Sequence, residues 1–143
     1  MPMIKLTVSA GVLGSETRRE LQNTLAATLL KWEGAPDTAF FRAQAWSQVD
    51  EVHPGTFTAL EDGEPRFRVD VTVPEGALSQ RRKEGLVNEA TATVLTAAGL
   101  SEADALRVWV LIHEQPEGTW GAGANVVRFA ELAALAKAER ANA

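Results

Sequence analysis

Phe67-Arg68-Val69-Asp70-Val71-Thr72-Val73-Pro74-Glu75-Gly76 decides the fold of this chain. Phe67, Val69, Val71 and Val73 alternate with polar or charged residues, the period-two pattern of a strand that buries one face. The same alternation occurs at Ile4, Leu6 and Val8, ahead of Gly11, and the two stretches lie 65 residues apart. An ungapped shift by that distance pairs residues 4–51 with 69–116. Eleven pairs are then identical, among them Thr7/Thr72, Val8/Val73, Gly11/Gly76, Leu21/Leu86, Asn23/Asn88, Thr28/Thr93, Gly34/Gly99 and Arg42/Arg107. Ordinary residue frequencies give about three or four by chance, so the chain is read as a duplicated unit.

Each copy reads as strand, helix, strand. Ser15 and Ser79 are predicted N-caps, because their hydroxyls can accept N–H groups that a first helical turn leaves unmade. Leu21, Leu25 and Leu29 in one copy, and Leu86, Ala90 and Val94 in the other, recur every four residues and form one apolar helix face. Gly34 and Gly99 stand where a left-handed residue ends a helix. Second strands are predicted over Phe40–Gln48 and Ala105–Glu114, with the parallel, right-handed crossover usual for β-α-β units. The expected fold is α/β (α+β). Two tandem β-α-β units form one four-stranded sheet with two helices on one face, followed by a C-terminal hairpin and helix. The divisions within this one domain are a first unit at 1–51, a linker at 52–65, a second unit at 66–116 and a tail at 117–143. The linker is turn-rich, with His53-Pro54-Gly55 and Asp62-Gly63-Glu64-Pro65, and is read as a linker or short hairpin. The tail begins as a glycine-rich ribbon through Ala124. Its helix is predicted over Asn125–Arg140, with Val127, Leu132, Leu135 and Ala136 on one side.

Of 143 residues, 45% are hydrophobic and 23% charged, enough to build a packed core. A net charge of -5 argues against nucleic acid or an anionic membrane as the main partner. A small molecule or another protein is the expected partner. The absence of cysteine excludes disulfides and thiolate chemistry. The start shows no signal-peptide pattern and no apolar run has membrane-spanning length, so the cytoplasm is the expected compartment. His53 and His113 are the only histidines, and two isolated imidazoles do not compose a metal site. No metal and no cofactor is expected. Arg81-Arg82-Lys83 reads as a solvated face, and Gly121-Ala122-Gly123 lacks a complete nucleotide fingerprint.

Pro2 follows the initiator methionine and opens the first strand. A small residue at this position favours removal of Met1, which leaves a free secondary amine at the head of a buried strand. Burial disfavours its protonated form and brings its pKa toward neutrality, where a general base works best.

These features together resemble the tautomerase superfamily. The resemblance rests on the proline after Met1, two β-α-β units of this length, Glu75-Gly76, and a strand ending Trp109-Val110-Leu111-Ile112-His113-Glu114 ahead of Gly118-Thr119-Trp120-Gly121-Ala122-Gly123. The second copy is similar to a short 4-oxalocrotonate tautomerase subunit. The whole chain looks like fused members such as macrophage migration inhibitory factor and the 3-chloroacrylic acid dehalogenases. The resemblance implies a homotrimer with a barrel-like assembly of sheets, active sites near Pro2 built partly from a neighbouring subunit, and Pro2 as general base for keto-enol or double-bond proton transfer. Phe67 takes the place of Pro2 in the second copy, which implies one active site per chain.

The chain departs from the 4-oxalocrotonate pattern at the substrate clamp. The two arginine positions of that pattern carry Ala77 and Trp109 here, and the ungapped first-copy equivalents are Val12 and Gln44. There is also no tyrosine, so the water-activating tyrosine of the cis-chloroacrylate dehalogenases has no counterpart. Arg42 and Arg107 are the candidate replacements for the clamp, read as lying on the second strands; ion pairs at a subunit interface are the other reading. Trp120 aligns with an aromatic wall of the 4-oxalocrotonate pocket. Trp109 is a further candidate wall, and both Trp46 and Trp109 also read as sheet or interface side chains. The expected substrate is a small 2-oxo or 2-hydroxy unsaturated acid with at most one well-bound carboxylate. Hydration or decarboxylation of a small unsaturated or 3-oxo acid in the same site, and a non-catalytic trimeric binding protein, stay open as alternatives.

Overall fold

The alternation in the sequence is the burial pattern of the sheet. In β1 (Met3–Ser9), Ile4, Leu6 and Val8 are buried, and in β3 (Phe67–Pro74) Phe67, Val69, Val71 and Val73 are buried. The structure is a computed structural model and describes residues 1–142. β2 (Trp46–Val52) pairs parallel with β1, β1 antiparallel with β3, and β3 parallel with β4 (Val108–Gln115), which gives the order β2-β1-β3-β4. Helices α1 (Ser15–Glu33) and α3 (Gln80–Ala97) cover one face. Leu21, Leu25 and Leu29 meet Leu86, Ala90 and Val94 there, and all six are buried in one core with the inward strand residues. Removing that apolar area from water, at roughly 25 cal/mol per Å², holds the layers together. The opposite sheet face leaves Trp46 and Trp109 about two-thirds exposed, at 64% and 66%.

Several boundaries differ from those read in the sequence. Gly14, not Ser15, precedes α1 and makes no side-chain cap, whereas Ser79 accepts the Arg82 N–H as expected. Gly34 and Gly99 both take positive φ at their helix ends. The predicted strand Phe40–Gln48 begins instead as a short helix, α2 (Ala39–Gln44), capped by the Thr38 hydroxyl. Phe41, buried with Leu30 and Ala136, is what turns this segment inward. Its counterpart, Glu102–Arg107, is a 3-10 turn closed by a capping box between Ser101 and Asp104. Arg42 and Arg107 therefore lie on these turns and not on strands. The 52–65 segment forms turns without a hairpin. A small hairpin, β5 (Gly121–Ala122) with β6 (Asn125–Val126), takes the start of the predicted last helix, so α4 runs Phe129–Ala141. Of the predicted face of α4, Ala136 is buried.

The strand register also revises the repeat. Met3 pairs with Trp46, and Arg68, its equivalent in the second copy, pairs with Trp109. Beyond the helices the copies are thus offset by 63 residues, not 65: the first copy carries two extra residues before its turn. Trp46 is then equivalent to Trp109, Gln44 to Arg107, and Glu51 to Glu114. Side-chain chemistry agrees, since Arg18 pairs with Glu51 just as Lys83 pairs with Glu114. The shifted repeat continues into the loops. Thr56 donates from N and Oγ1 to the His53 carbonyl at 3.1 and 2.5 Å, and Thr119 does the same to Pro116 at 3.1 and 2.5 Å. Phe57 thereby becomes the counterpart of Trp120.

Candidate active site

Pro2 sits buried at the head of β1, where its carbonyl accepts the Trp46 N–H at 3.1 Å. That bond ties the amino terminus to the start of β2. Around it lies a cavity of about 550 Å³ lined by Pro2, Gln44, Trp46, Thr72, Gln115, Thr119 and Trp120, with the glycines of the β5 turn. The two indoles provide apolar wall on which a flat conjugated molecule can stack. Gln44 provides a carboxamide able to donate to a carbonyl or carboxylate oxygen. Gln115 is oriented by bonds from Nε2 to the Thr119 carbonyl at 3.2 Å and hydroxyl at 2.9 Å.

Glu33, in the last turn of α1, faces the amino terminus. Its Oε1 stands 3.9 Å from the Met1 nitrogen, its side chain is 8% exposed, and Oε2 has no hydrogen-bond partner among the described residues. A carboxylate there also opposes the negative end of the helix dipole. Burial pushes the Glu33 carboxyl above its ordinary range, and the amino-terminal charge partly offsets that. Burial likewise pushes the amino-terminal amine down, against the pull of Glu33. The neighbouring cations act on backbone: Arg82 donates to the Glu33 carbonyl at 3.1 Å and Arg140 to that of Gly34.

The five residues singled out in the sequence separate in space. Pro2 and Trp120 share the cavity just described. Arg107 and Trp109 line a second cavity together with Phe67. Arg42 borders a third recess and is held by Asp37, through its carboxylate at 2.8 Å and its carbonyl at 3.1 Å. Gln115 and Glu33 beside the Pro2 cavity were not singled out by the sequence, which placed Gln44 only at an unfilled clamp position and Trp46 among sheet or interface side chains. A two-residue gap in the repeat would have exposed Trp46 through its identity with Trp109. Among the described residues, no three His, Asp or Glu side chains gather as metal ligands.

The profile described as Tautomerase enzyme matches residues 68–130. The second β-α-β unit is thus similar to the tautomerase family. The whole chain has the fold of fused tautomerases. A fused 4-OT solved as a symmetric trimer superposes with a TM-score of 0.71 at 18% identity, covering 92% of this chain and 98% of that one. A protein solved after inactivation by 2-oxo-3-pentynoate gives 0.74 at 17%, with 87% and 94% covered. A member of the cis-3-chloroacrylic acid dehalogenase family gives 0.73 at 16%, with 87% and 82% covered. No curated protein matched the sequence significantly. The tautomerase match includes Trp109 and Trp120 but not Pro2, which belongs to the first copy. The chemistry at Pro2 therefore rests on the geometry of its own cavity.

Proposed function

We propose that this protein is a cofactor-independent tautomerase in which the Pro2 amine, freed by removal of Met1, is the general base for keto-enol or double-bond proton transfer on a small 2-oxo or 2-hydroxy unsaturated acid. One observation carries this reading: the amino terminus opens into a cavity walled by Trp46 and Trp120. An apolar wall beside a buried amine favours its neutral form. The base removes a proton from carbon beside the carbonyl, and Gln44 holds an enol or carboxylate oxygen. Protonated Pro2 then returns the proton to another carbon or to oxygen. A carboxamide in place of cations suits a substrate with one carboxylate at most.

The working unit is proposed to be a homotrimer in the cytoplasm. The trimeric fused 4-OT of the same fold supports the assembly. No helix among the described residues is long and apolar enough to cross a membrane.

The test combines intact mass, labelling with 2-oxo-3-pentynoate and ketonisation of phenylenolpyruvate, with products followed by NMR. Loss of Met1, a single label on Pro2 and label-dependent loss of turnover are the expected results. Hydrated or decarboxylated products would move the assignment to another reaction of the same site. The ammonium of Met1 facing Glu33 favours one second reading: with Met1 kept, the Pro2 nitrogen is an amide, the label finds no amine, and the trimer binds without turning over.

A further inference from the structure

The revised repeat gives the Pro2 cavity a counterpart on the other half of the sheet. A cavity of about 600 Å³ is lined by Phe67, Arg107, Trp109 and Phe57, the equivalents of Pro2, Gln44, Trp46 and Trp120. Even the threonines agree: Thr7 and Thr56 line one cavity, Thr72 and Thr119 the other.

Two substitutions change what this second cavity can do. Phe67 lies inside the chain, so its nitrogen is an amide and supplies no base. Arg107 stands where the first cavity has Gln44, and its donors are not committed. Its nearest carboxylates are at 3.5 Å (Asp104) and 3.8 Å (Glu64), and it makes no hydrogen bond among the described residues, although its side chain is only 26% exposed. Arg66 and Arg68, by contrast, are held by Asp62 at 3.0 Å and Asp70 at 2.9 Å. Lys5, also on the lining, has no ion pair among the described residues. A partly buried guanidinium with unused planar donors, beside a free ammonium and an exposed indole, matches a carboxylate attached to a flat ring or conjugated chain.

We propose that this second cavity is a non-catalytic binding site for a flat monocarboxylate, with Arg107 and Lys5 on the carboxylate and Trp109 and Phe57 on the ring. The proposal does not require Pro2 to be a base. An acid related to the substrate would then meet two kinds of site on one chain, one that reacts and one that only binds.

The probe is cinnamate, with cinnamamide as its uncharged isostere, followed by NMR on the intact protein. The indole N–H signal of Trp109 is assigned by its loss in Trp109→Phe. Cinnamate is expected to shift that signal saturably, cinnamamide to bind at least about tenfold more weakly, and Arg107→Gln to cost a similar factor that Arg107→Lys partly restores. Shifts confined to Trp46 and Trp120, equal binding of acid and amide at Trp109, or unchanged affinity in Arg107→Gln would each overturn the assignment. The acid-amide comparison is made on unaltered protein and stands even if a variant folds poorly. Failure of Pro2 labelling would leave these outcomes as they are, so the two readings fail separately.

Discussion

Gly85→Ala sets two effects of opposite sign against each other, and the structure decides between them. Alanine in mid-helix is favoured over glycine by about 1 kcal/mol, so the substitution should stabilise α3 if nothing opposes it. A Cβ at Gly85, however, would lie 2.3, 2.5 and 2.7 Å from three ring carbons of Trp32 on α1. Carbon contacts relax only near about 3.5 Å, so the indole must retreat by roughly 1 Å. It is not free to do so. Trp32 Nε1 donates to Glu89 at 2.5 Å, and Lys31 holds the other oxygen of that carboxylate at 2.6 Å. Overpacking of this kind costs about 1 to 3 kcal/mol, and ejecting the ring would forfeit burial of similar size. The expected net result is a loss of up to about 2 kcal/mol, read by urea denaturation at fixed protomer concentration because assembly shifts apparent stability. Adding Trp32→Leu should remove the clash and let the helix preference of alanine emerge. A Gly85→Ala protein more stable than wild type by the full helix term would refute the packing argument. The repeat offers an internal comparison. The equivalent pair, Glu20 and Ala97, fills nothing and borders a shallow recess of about 400 Å³.

The remaining expectations concern the site. Glu33→Gln should raise stability near neutral pH and leave it unchanged in acid. Burial lifts the Glu33 pKa above 4.5, so the contribution of its protonated form is complete below that pH and is lost as pH rises through the folded value, and the amide suffers no such loss. Denaturation at several pH values checks this, and a difference independent of pH would count against it. Trp120→Ala should admit water beside Pro2, raise the amine pKa and lower kcat/KM about tenfold or more, measured by ketonisation across pH. Gln44→Arg, which copies Arg107 into the reacting cavity, should lower KM for a monocarboxylate about tenfold through a charge-assisted bond. An unchanged KM would show that Gln44 does not meet the carboxylate.

Strand alternation and four-residue helix spacing made the two β-α-β units legible, because burying one face imposes both patterns on the sequence. The four strands and two covering helices follow from it, while the C-terminal ribbon was marked by its glycines. What escaped was the start of each second strand. Phe40 and Phe41 read as strand residues by type, but Phe41 is drawn inward by Leu30 and Ala136, and no local pattern reports that tertiary contact. The two-residue insertion was hidden for a related reason: the identities that set the 65-residue shift lie mostly before it, and Arg42/Arg107 matched past it by coincidence. An even insertion also keeps side chains on the same sheet face, so polarity alternation gives no warning. Order and spacing singled out Pro2 and Trp120, and the fold brings the two to one cavity. Glu33 was not singled out, since an acidic residue in the last turn of a helix looks like solvated surface until its burial and its unpartnered oxygen are seen.

The central claim is that the amino terminus is a proline amine acting as base, and intact mass with 2-oxo-3-pentynoate labelling tests it most directly. A chain lacking Met1 that gains one label on Pro2, and loses phenylenolpyruvate ketonisation in proportion, is the expected result. A chain that keeps Met1, or that turns over undiminished with Pro2 labelled, would contradict it.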